Sequence, residues 1–353
     1  MMTGVPSPIF SSSLTPSQPT GLHWSPCGDH LAVSTDTRLQ VYSVFQGLTG
    51  AVEFMPSAKV KHAECLYSWF WSSGTYSSSM LVTTGRYQPV QLYTCHNSDN
   101  LLDIQLESTY KCINQLDELS HAFSVALDKV TNSLLCGLKG EVRVFDVNRP
   151  GRFSTSHITK SGQSGIISCL AVSEVLPVYA AGCYDRTVGL YSSQGDRLCV
   201  LRGQVGGVTQ VTFTKDGTKL FAGGRKDNEV LCWDLRQPGN VLYTLQREVT
   251  TNQTIQFSLS PCEKYLSSAN TDGSVRIWDL ERQADCVTGV LEPLTGWLLH
   301  RDATNGVSWH PDGKWLATCS GQRHFKIHSE MDMGEEEMKG EENSLVVWNI
   351  ENL

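Results

Sequence analysis

The sequence lacks the segments that would place the chain in a membrane or mark it for secretion. No apolar run is long enough to span a bilayer. Residues 1–21, MMTGVPSPIFSSSLTPSQPTG, have neither a basic start nor an apolar core, so no signal peptide is expected. With 40 % hydrophobic and 18 % charged residues, the composition predicts a globular protein without a membrane partner.

The cysteines lack the spacing of a metal knuckle or a redox motif. All twelve are at least 14 residues from the next, and no CxxC occurs. Most lie inside apolar, strand-like runs, where cysteine behaves as a small core residue. We therefore expect a reducing, intracellular compartment and no zinc site.

Catalytic signatures are absent as well. The chain contains no GxSxG, GxxxxGK[ST] or HExxH motif, and no GxGxxG follows a strand-like run. The ten histidines are scattered singly, and for His300 and His310 a structural hydrogen bond is the expected role. The sequence therefore predicts a protein that is not an enzyme, with no cofactor, no metal and no small-molecule substrate.

Positive charge is scarce overall but is concentrated in one part of the chain. The net charge is −8, which by itself argues against a nucleic-acid partner. However, residues 328–343 hold seven acids and one lysine, whereas residues 139–247 hold fourteen Lys and Arg against nine Asp and Glu. A basic middle on an acidic chain is compatible with local binding of phosphates.

A repeated frame organises the whole chain. FTKDGTKLFAGGRKDNEVLCWDL (213–235) and FSLSPCEKYLSSANTDGSVRIWDL (257–280) both run from an aromatic residue through a turn, an apolar strand and an Asp-containing turn to a second strand. Seven copies are visible, and the third strand of each closes on an aromatic residue: Tyr42, Tyr93, Phe145, Tyr191, Trp233, Trp278 and Trp348. The period of 40 to 50 residues predicts an all-β, seven-bladed WD40-type β-propeller.

The frame also predicts the domain organisation. Because the chain ends just after the third strand of the seventh blade, the segment around Ile9 to Leu14 is expected to supply the fourth strand and close the ring. We assign residues 1–20 to a tail with this closing strand and residues 21–353 to the propeller. An acidic loop at about 324–343 is inserted in blade 7.

Basic residues fall in two kinds of loop that open on the same side of a WD-type propeller. These are the lead-in loop of each blade and the turn between its second and third strands; we call this side the top face. The predicted binding residues on it are Gln163, Arg186, Arg225, Lys226, Arg247, Arg301 and Arg323. Clustered arginines suit the recognition of phosphates or bases, although each could also be an ordinary solvated charge.

An aromatic cluster, CLYSWFW (65–71), leads into the second blade. Trp69 is the predicted stacking residue for unpaired RNA bases. The alternative is that Trp69 and Trp71, two positions apart on one strand, point to the same side and pack between blades.

Several stretches resemble the telomerase Cajal body protein 1 family of WD-repeat proteins. They are CLYSWFW (65–71), LDELSHAFSVAL (116–127), SGQSGIISC (161–169), GGRKDNEVLCWDLRQ (223–237), REVTTNQTIQF (247–257), DATNGVSWHP (302–311) and SGQR (320–323). The resemblance implies a nuclear RNA-binding escort that recognises the Cajal body box of box H/ACA small Cajal-body RNAs and of telomerase RNA. It further implies delivery to Cajal bodies, support of telomerase maturation and a possible cytoplasmic pool.

The resemblance also implies partners: the telomerase ribonucleoprotein, dyskerin-type ribonucleoprotein components and coilin-type Cajal body proteins. The alternative function is a general protein-interaction scaffold, the commonest use of WD propellers. An exposed apolar patch on the top face, instead of arginines, would favour that alternative.

Overall fold

The computed structural model describes residues 5–15, 17–46, 52–73, 79–98, 101–322 and 342–351. All regular elements among them are strands, and these form seven sheets. The described part of the chain has no helix, and so none that could cross a membrane. The predicted all-β, seven-bladed propeller is confirmed.

The strands follow the chain blade by blade. Strand β1 covers Ser7–Ser13. Blade 1 contains β2 (Pro19–Trp24), β3 (His30–Thr35), β4 (Arg38–Gln46) and β5 (Val52–Lys61). Blade 2 contains β6 (Leu66–Ser73), β7 (Ser79–Gly85), β8 (Val90–Ser98) and β9 (Leu101–Tyr110). Blade 3 contains β10 (Ser124–Asp128), β11 (Ser133–Gly137), β12 (Glu141–Asp146) and β13 (Thr155–Ile158).

The remaining blades repeat this order. Blade 4 contains β14 (Ile167–Val172), β15 (Val178–Cys183), β16 (Thr187–Ser192) and β17 (Arg197–Arg202). Blade 5 contains β18 (Val208–Phe213), β19 (Lys219–Gly224), β20 (Glu229–Asp234) and β21 (Val241–Gln246). Blade 6 contains β22 (Phe257–Leu259), β23 (Tyr265–Ala269), β24 (Ser274–Asp279) and β26 (Thr295–Leu298). Blade 7 contains β27 (Thr304–Trp309), β28 (Trp315–Ser320) and β29 (Ser344–Asn349).

The ring closes through the N-terminal strand, as the sequence predicts. β1 pairs antiparallel with β29 and completes the four-stranded sheet of blade 7. Phe10 of β1 stacks on Phe54 of blade 1 with ring centroids 4.6 Å apart, and it meets the edge of Tyr42 at 5.8 Å. The closing strand thus contributes backbone pairing to one blade and an aromatic contact to the next.

Blade 5 carries a strand that the repeat does not predict. β25 (Val290–Leu291) comes from the segment between the third and fourth strands of blade 6 and pairs in parallel with β21. Buried Leu291 packs in the cluster between blades 5 and 6. The outer edge of blade 5 is therefore covered over two residues.

The core lies between blades. Among the described residues, buried hydrophobic side chains form seven clusters, and each cluster joins two neighbouring blades around the ring. The alternation of each strand explains this, because every second side chain leaves the sheet on the face that meets the next blade. The aromatic residue closing each third strand is buried, and Trp233 and Trp278 are the largest fully buried side chains among these seven.

Candidate nucleic-acid interface

The top face surrounds the mouth of a central channel of about 900 Å³. The innermost strands of the blades build its wall, and most of the side chains that they present there are polar, such as Ser168 and Gln210. Tyr67, Phe123 and Tyr184 also line this cavity, at the top ends of their strands or in the adjoining turn. The channel mouth therefore combines a polar wall with an aromatic rim.

Arg225 and Tyr184 form the best-defined basic contact at this mouth. The Arg225 guanidinium carbon lies 3.5 Å from the centroid of the Tyr184 ring, within the range of a cation–π interaction. Burial raises the pKa of the Tyr184 hydroxyl, although the Arg225 charge opposes this shift. Tyr184 consequently stays neutral, and the stacked pair presents a flat, positively charged surface.

Three further predicted basic residues are exposed on the top face. Lys226 follows Arg225 in the turn between β19 and β20, and Arg186 occupies the turn between β15 and β16. Arg301 lies in the lead-in loop of blade 7, where its backbone N–H donates to Glu342 Oε2 at 2.7 Å. The structure thus leaves the side chains of Arg186, Lys226 and Arg301 at the surface.

The turns that carry two of these residues have an unusual backbone. Arg186 has a φ of 71° and Lys226 a φ of 47°, in the left-handed region that favours glycine. Gly140 and Gly273 take the left-handed conformation at the positions in blades 3 and 6 that correspond to Arg186, directly before the third strand, whereas Lys226 lies two residues earlier in its turn. A long basic side chain at such a position costs backbone strain that glycine would avoid.

The turn aspartates that the sequence assigns to the frame have that role. Asp227 Oδ2 accepts hydrogen bonds from the backbone N–H groups of Val205 and Gly206 at 3.0 and 3.1 Å. Asp185 Oδ2 accepts one from the N–H of Ser164 at 3.1 Å. Each aspartate ties the turn of its blade to the lead-in loop of the same blade, and so fixes the neighbouring basic side chain on the top face.

Arg247 differs from the sequence expectation because it is buried. Its guanidinium donates to the carbonyl oxygens of Gly224 at 2.8 Å and Ile255 at 3.0 Å. Burial lowers the pKa of Arg247 to about 10, and the nearby Asp227 carboxylate acts in the opposite direction. Arg247 joins blades 5 and 6 from within, and we leave it out of the contact surface.

Gln163 is buried in the same way, with no exposed surface. Its Nε2 group donates to the Ala181 carbonyl at 2.9 Å, and its Oε1 accepts from the Tyr191 hydroxyl at 2.9 Å. These bonds hold the lead-in loop of blade 4 against its second and third strands. Gln163 therefore has a structural role, and we leave it out as well.

The exposed aromatic ring of CLYSWFW is Tyr67, two residues before the predicted stacking residue Trp69. Trp69 is half-buried in the channel wall, with its ring centroid 5.1 Å from that of His23, and it packs with Trp71 against the core between blades 1 and 2. Tyr67, at the top of the same strand, is 37 % exposed and is the accessible ring of CLYSWFW. The last predicted residue, Arg323, lies outside the described residues.

Sequence reasoning missed the aromatic residues of this mouth other than CLYSWFW. Tyr184 directly precedes the turn aspartate in CYDR, a position where the repeated frame requires no ring. Phe123 lies just before β10 in LDELSHAFSVAL. The sequence did offer one signal for Tyr184, which is an aromatic residue in a turn whose counterparts in other blades contain Gly, Asp or Lys.

His300 lies in a structural relay in blade 7. Trp348 Nε1 donates to Thr318 Oγ1 at 2.8 Å, Thr318 is 2.7 Å from His300 Nε2, and His300 Nδ1 is 2.8 Å from Glu342 Oε1. Burial disfavours ionisation of Glu342, but hydrogen bonds from His300, Ser344 and the Arg301 backbone outweigh it and lower the pKa of Glu342 to about 2. The structural hydrogen bond predicted for His300 is confirmed.

The described residues contain no cluster of side chains suited to binding a metal ion. No group of three or more His, Cys, Asp or Glu side chains that could hold an ion occurs there. All twelve cysteines are free thiols; six of them are buried, five of these in strands. The chemistry that the top face offers is cationic and aromatic contact.

Comparison with known proteins agrees with this architecture. Residues 120–319 match a family model described as the nucleolar protein 10-like, N-terminal domain, a β-propeller. Telomerase Cajal body protein 1 from Rattus norvegicus is 40 % identical over 86 % of this chain and 59 % of its own length. The Homo sapiens protein of that name is 38 % identical over 90 % of this chain and 59 % of its own length. A Drosophila melanogaster homolog is 29 % identical over 88 % of this chain and 58 % of its own length.

The chain spans about three fifths of the length of these curated relatives. The match extends over most of the propeller and confirms the resemblance found in the sequence. The chain therefore belongs to the telomerase Cajal body protein 1 family of WD-repeat β-propellers.

Proposed function

We propose that this chain is a non-catalytic RNA-binding escort. Its top face holds the Cajal body box loop of box H/ACA small Cajal-body RNAs and of telomerase RNA. The bound particles are directed to Cajal bodies in the nucleus, with a cytoplasmic pool during transit, and telomerase maturation and telomere maintenance are supported. The names of the relatives, which combine telomerase with the Cajal body, support this class of role.

One observation carries the proposal: two basic side chains have the left-handed backbone conformation that favours glycine. Arg186 and Lys226 accept left-handed conformations in turns of blades 4 and 5. Beside them, Arg225 stacks on Tyr184 at the channel mouth. Strain retained at a surface position points to a function, because folding alone would be served better by glycine.

The division of roles follows from the chemistry of the groups. The ammonium of Lys226 and the guanidinium of Arg186, both exposed, suit phosphate oxygens and supply salt-dependent affinity. The flat Arg225–Tyr184 pair suits an unpaired base, which can stack on a guanidinium or an aromatic plane. A single-stranded RNA loop presents both kinds of group, whereas a duplex hides its bases.

Dyskerin-type and coilin-type proteins are proposed as further partners that this chain meets through the RNA particle. We assign no surface of the propeller to them. The scaffold alternative requires an exposed apolar patch on the top face. Among the described residues, the exposed leucines Leu106, Leu198 and Leu298 lie on the outermost strands of their blades. Leu116 and Val205 are exposed in the lead-in loops of blades 3 and 5, as single apolar residues on different blades. The channel mouth instead carries the rings and cations described above, which favours RNA.

A binding measurement with a charge-reversal control on the opposite face tests the proposal. A hairpin RNA with the Cajal body box in its loop is titrated with the wild-type chain, the Arg225→Glu/Lys226→Glu variant and an Arg236→Glu control. Arg236 lies in the turn after β20, on the opposite face, and is paired with Asp234 at the surface, where such pairs contribute little stability. The top-face variant should lose at least about tenfold in affinity, and the control should match wild type.

Normal affinity in the double variant, with an intact fold by circular dichroism, would remove these two residues from the site. If the wild-type chain bound no box H/ACA RNA, in vitro or after cross-linking in cells, the scaffold function would replace RNA recognition.

A further inference from the structure

Four rings meet on the top face of blades 2 and 3, beside the channel mouth. They are Tyr67 at the top of β6, Tyr87 in the turn between β7 and β8, and His121 and Phe123 before β10. Tyr67 lies 5.2 Å from Phe123 and 6.3 Å from His121, and Tyr87 lies 4.8 Å from His121, as measured between ring centroids. We call these four residues the Tyr67 cluster.

Folding alone does not explain this cluster. Tyr87 is 61 % exposed and Tyr67 is 37 % exposed, and none of the four rings belongs to the buried cluster between blades 2 and 3. Exposed aromatic rings that touch each other at the surface leave apolar area in water, which is unfavourable unless a partner covers it. The rings are therefore available to a ligand.

The backbone of Tyr87 strengthens this point. Its φ is 56°, in the left-handed region where a bulky side chain is strained. Glycine would adopt this conformation without strain. Blade 2 thus repeats with an aromatic ring what blades 4 and 5 do with Arg186 and Lys226.

A cation beside the rings narrows the class of ligand. The Arg86 guanidinium carbon lies 4.9 Å from the Tyr87 ring centroid, and Arg86 Nη2 donates to the Tyr87 hydroxyl at 3.3 Å. A methylated lysine or another cationic ligand would meet a like charge next to the rings. An unpaired base attached to a phosphate fits better, because its flat face stacks on a ring while its phosphate is attracted to the guanidinium.

The Tyr67 cluster and the Arg225–Tyr184 pair face the same opening. Tyr67, Phe123 and Tyr184 all line the one channel cavity, on blades 2, 3 and 4. An RNA strand laid across this mouth would meet rings on blades 2 and 3 and cations on blades 4 and 5. Blades 2 and 3 offer a group of rings with one cation beside it, and blades 4 and 5 offer exposed cations with one stacked Arg225–Tyr184 pair.

From this geometry we propose that the Tyr67 cluster is a stacking site for one or two unpaired bases of the bound RNA loop. The proposal rests on the proposed RNA-binding function and adds a second site for bases to the Arg225–Tyr184 pair and the phosphate contacts of blades 4 and 5. Rings read the presence of an unpaired base, so this site selects loops over duplexes.

The test uses a variant that removes rings without removing charge or straining the fold. Tyr67→Leu keeps an apolar side chain, and Tyr87→Gly relieves a left-handed residue, so the double variant should fold. Phe153→Leu is the matched control, because Phe153 is a 62 % exposed ring stacked under Arg149, 4.2 Å away. It lies in the connection between β12 and β13, which follows the outer edge of blade 2, where Gly151 pairs with Tyr110. The probe is the Cajal body box hairpin with 2-aminopurine in its loop, whose fluorescence reports stacking directly.

The double variant should bind about tenfold more weakly than wild type, with an unchanged dependence on salt, and should lose the fluorescence change on binding. Replacing the loop bases by abasic sites should reduce wild-type affinity at least to that of the variant, because the Arg225–Tyr184 pair also loses its base. The Phe153→Leu control should behave as wild type in each measurement.

The outcomes separate the two proposals. If wild type binds the hairpin and the double variant binds it equally well with the same fluorescence change, the stacking site is wrong and RNA binding stands. If wild type binds no RNA, the proposed function itself fails. If wild type binds a trimethyl-lysine peptide through these rings instead, the cluster is a protein-reading site and the inference is overturned.

Discussion

Arg186 on the top face combines a strained left-handed backbone with a proposed phosphate contact. A substitution by glycine can separate the effect of the strain on stability from the effect of the contact on RNA affinity. Arg186→Gly replaces a left-handed residue with the one that adopts this conformation freely. The strain relieved is about 1–2 kcal/mol, and the added freedom of glycine in the unfolded chain offsets about 0.5–1 kcal/mol. Chemical denaturation should therefore show a free energy of unfolding that is unchanged or raised by about 1 kcal/mol.

RNA affinity should move in the opposite direction in the same variant, falling several-fold because a phosphate contact is removed. Arg197→Gly, in β17, is a useful comparison, since Arg197 is an exposed arginine on an outer strand away from the channel mouth. It should lose stability, since glycine weakens a strand, and keep its affinity for RNA. A stable Arg186→Gly protein with full affinity would exclude Arg186 from the interface.

His23 makes stability dependent on acid pH. It is half-buried in the channel wall against Trp69, and burial lowers its pKa from 6.5 to about 4. Between these values the unfolded chain binds more protons than the folded one, so the free energy of unfolding falls as pH falls from about 6.5 to 4. Burial also lowers the pKa of His62 and of His157, which add to this slope.

The His23→Gln variant should lose part of that slope. After allowance for solvent screening, wild type should lose about 1 kcal/mol more than the variant between pH 7 and pH 5. Urea titrations at both pH values measure the difference directly, and His96→Gln, at an exposed position of β8, serves as the control. Equal losses in wild type and His23→Gln would assign the acid sensitivity to other groups.

For single residues, the sequence predicted which loops carry the candidate site, but it did not predict which side chains in those loops are exposed and which are buried. Arg225, Lys226, Arg186 and Arg301 reach the surface as expected, because charged side chains in turns are rarely buried. Arg247 is buried because backbone carbonyl oxygens from two neighbouring blades accept hydrogen bonds from its guanidinium. Such carbonyls are set by the packing of blades far apart in the chain, and a local pattern cannot reveal them.

At the scale of elements, the repeat determines almost everything through its period and its alternation. The third strands close on the predicted aromatic residues, and β1 pairs with β29 where the missing fourth strand was expected. β25 was not predictable, because two residues within a long connection carry no periodic signal. Its pairing with β21 depends on the path of that connection over blade 5.

The closing strand gives a prediction at this scale. Phe10→Ala removes a half-buried ring that stacks on Phe54 and meets Tyr42 across the junction of blades 7 and 1. The loss of apolar burial should lower the free energy of unfolding by about 2 kcal/mol. The ladder between β1 and β29 would remain, so the variant should stay folded at room temperature with a reduced melting temperature.

Deletion of residues 1–13 should have a larger effect, since it also exposes the edge of β29. Thermal unfolding and size-exclusion chromatography would show a lower melting temperature and concentration-dependent association. A deletion variant as stable as wild type would mean that the ring closes without this strand. Met55→Ala provides a control within the neighbouring blade, because Met55 is 53 % exposed on β5.

The whole molecule is bipolar in charge, and this should govern how fast it meets RNA. The net charge of −8 repels an RNA strand at long range, although the top face of blades 4 and 5 attracts it locally. Much of the negative charge lies in residues 328–343, which hold seven acids and one lysine. Repulsion of this kind extends about 10 Å at 0.1 M salt and about 3 Å at 1 M.

Replacing residues 330–337, EMDMGEEE, by a Gly/Ser sequence of the same length removes five acids and shifts the net charge from −8 to −3. At 0.05 M salt, stopped-flow measurements should show association with the hairpin RNA accelerated several-fold, because the long-range repulsion is weaker. At 1 M salt the two rates should converge, since screening removes the difference. A dissociation rate that changes instead, at every salt concentration, would mean that these acids act on the bound RNA at close range and not through the field of the whole molecule.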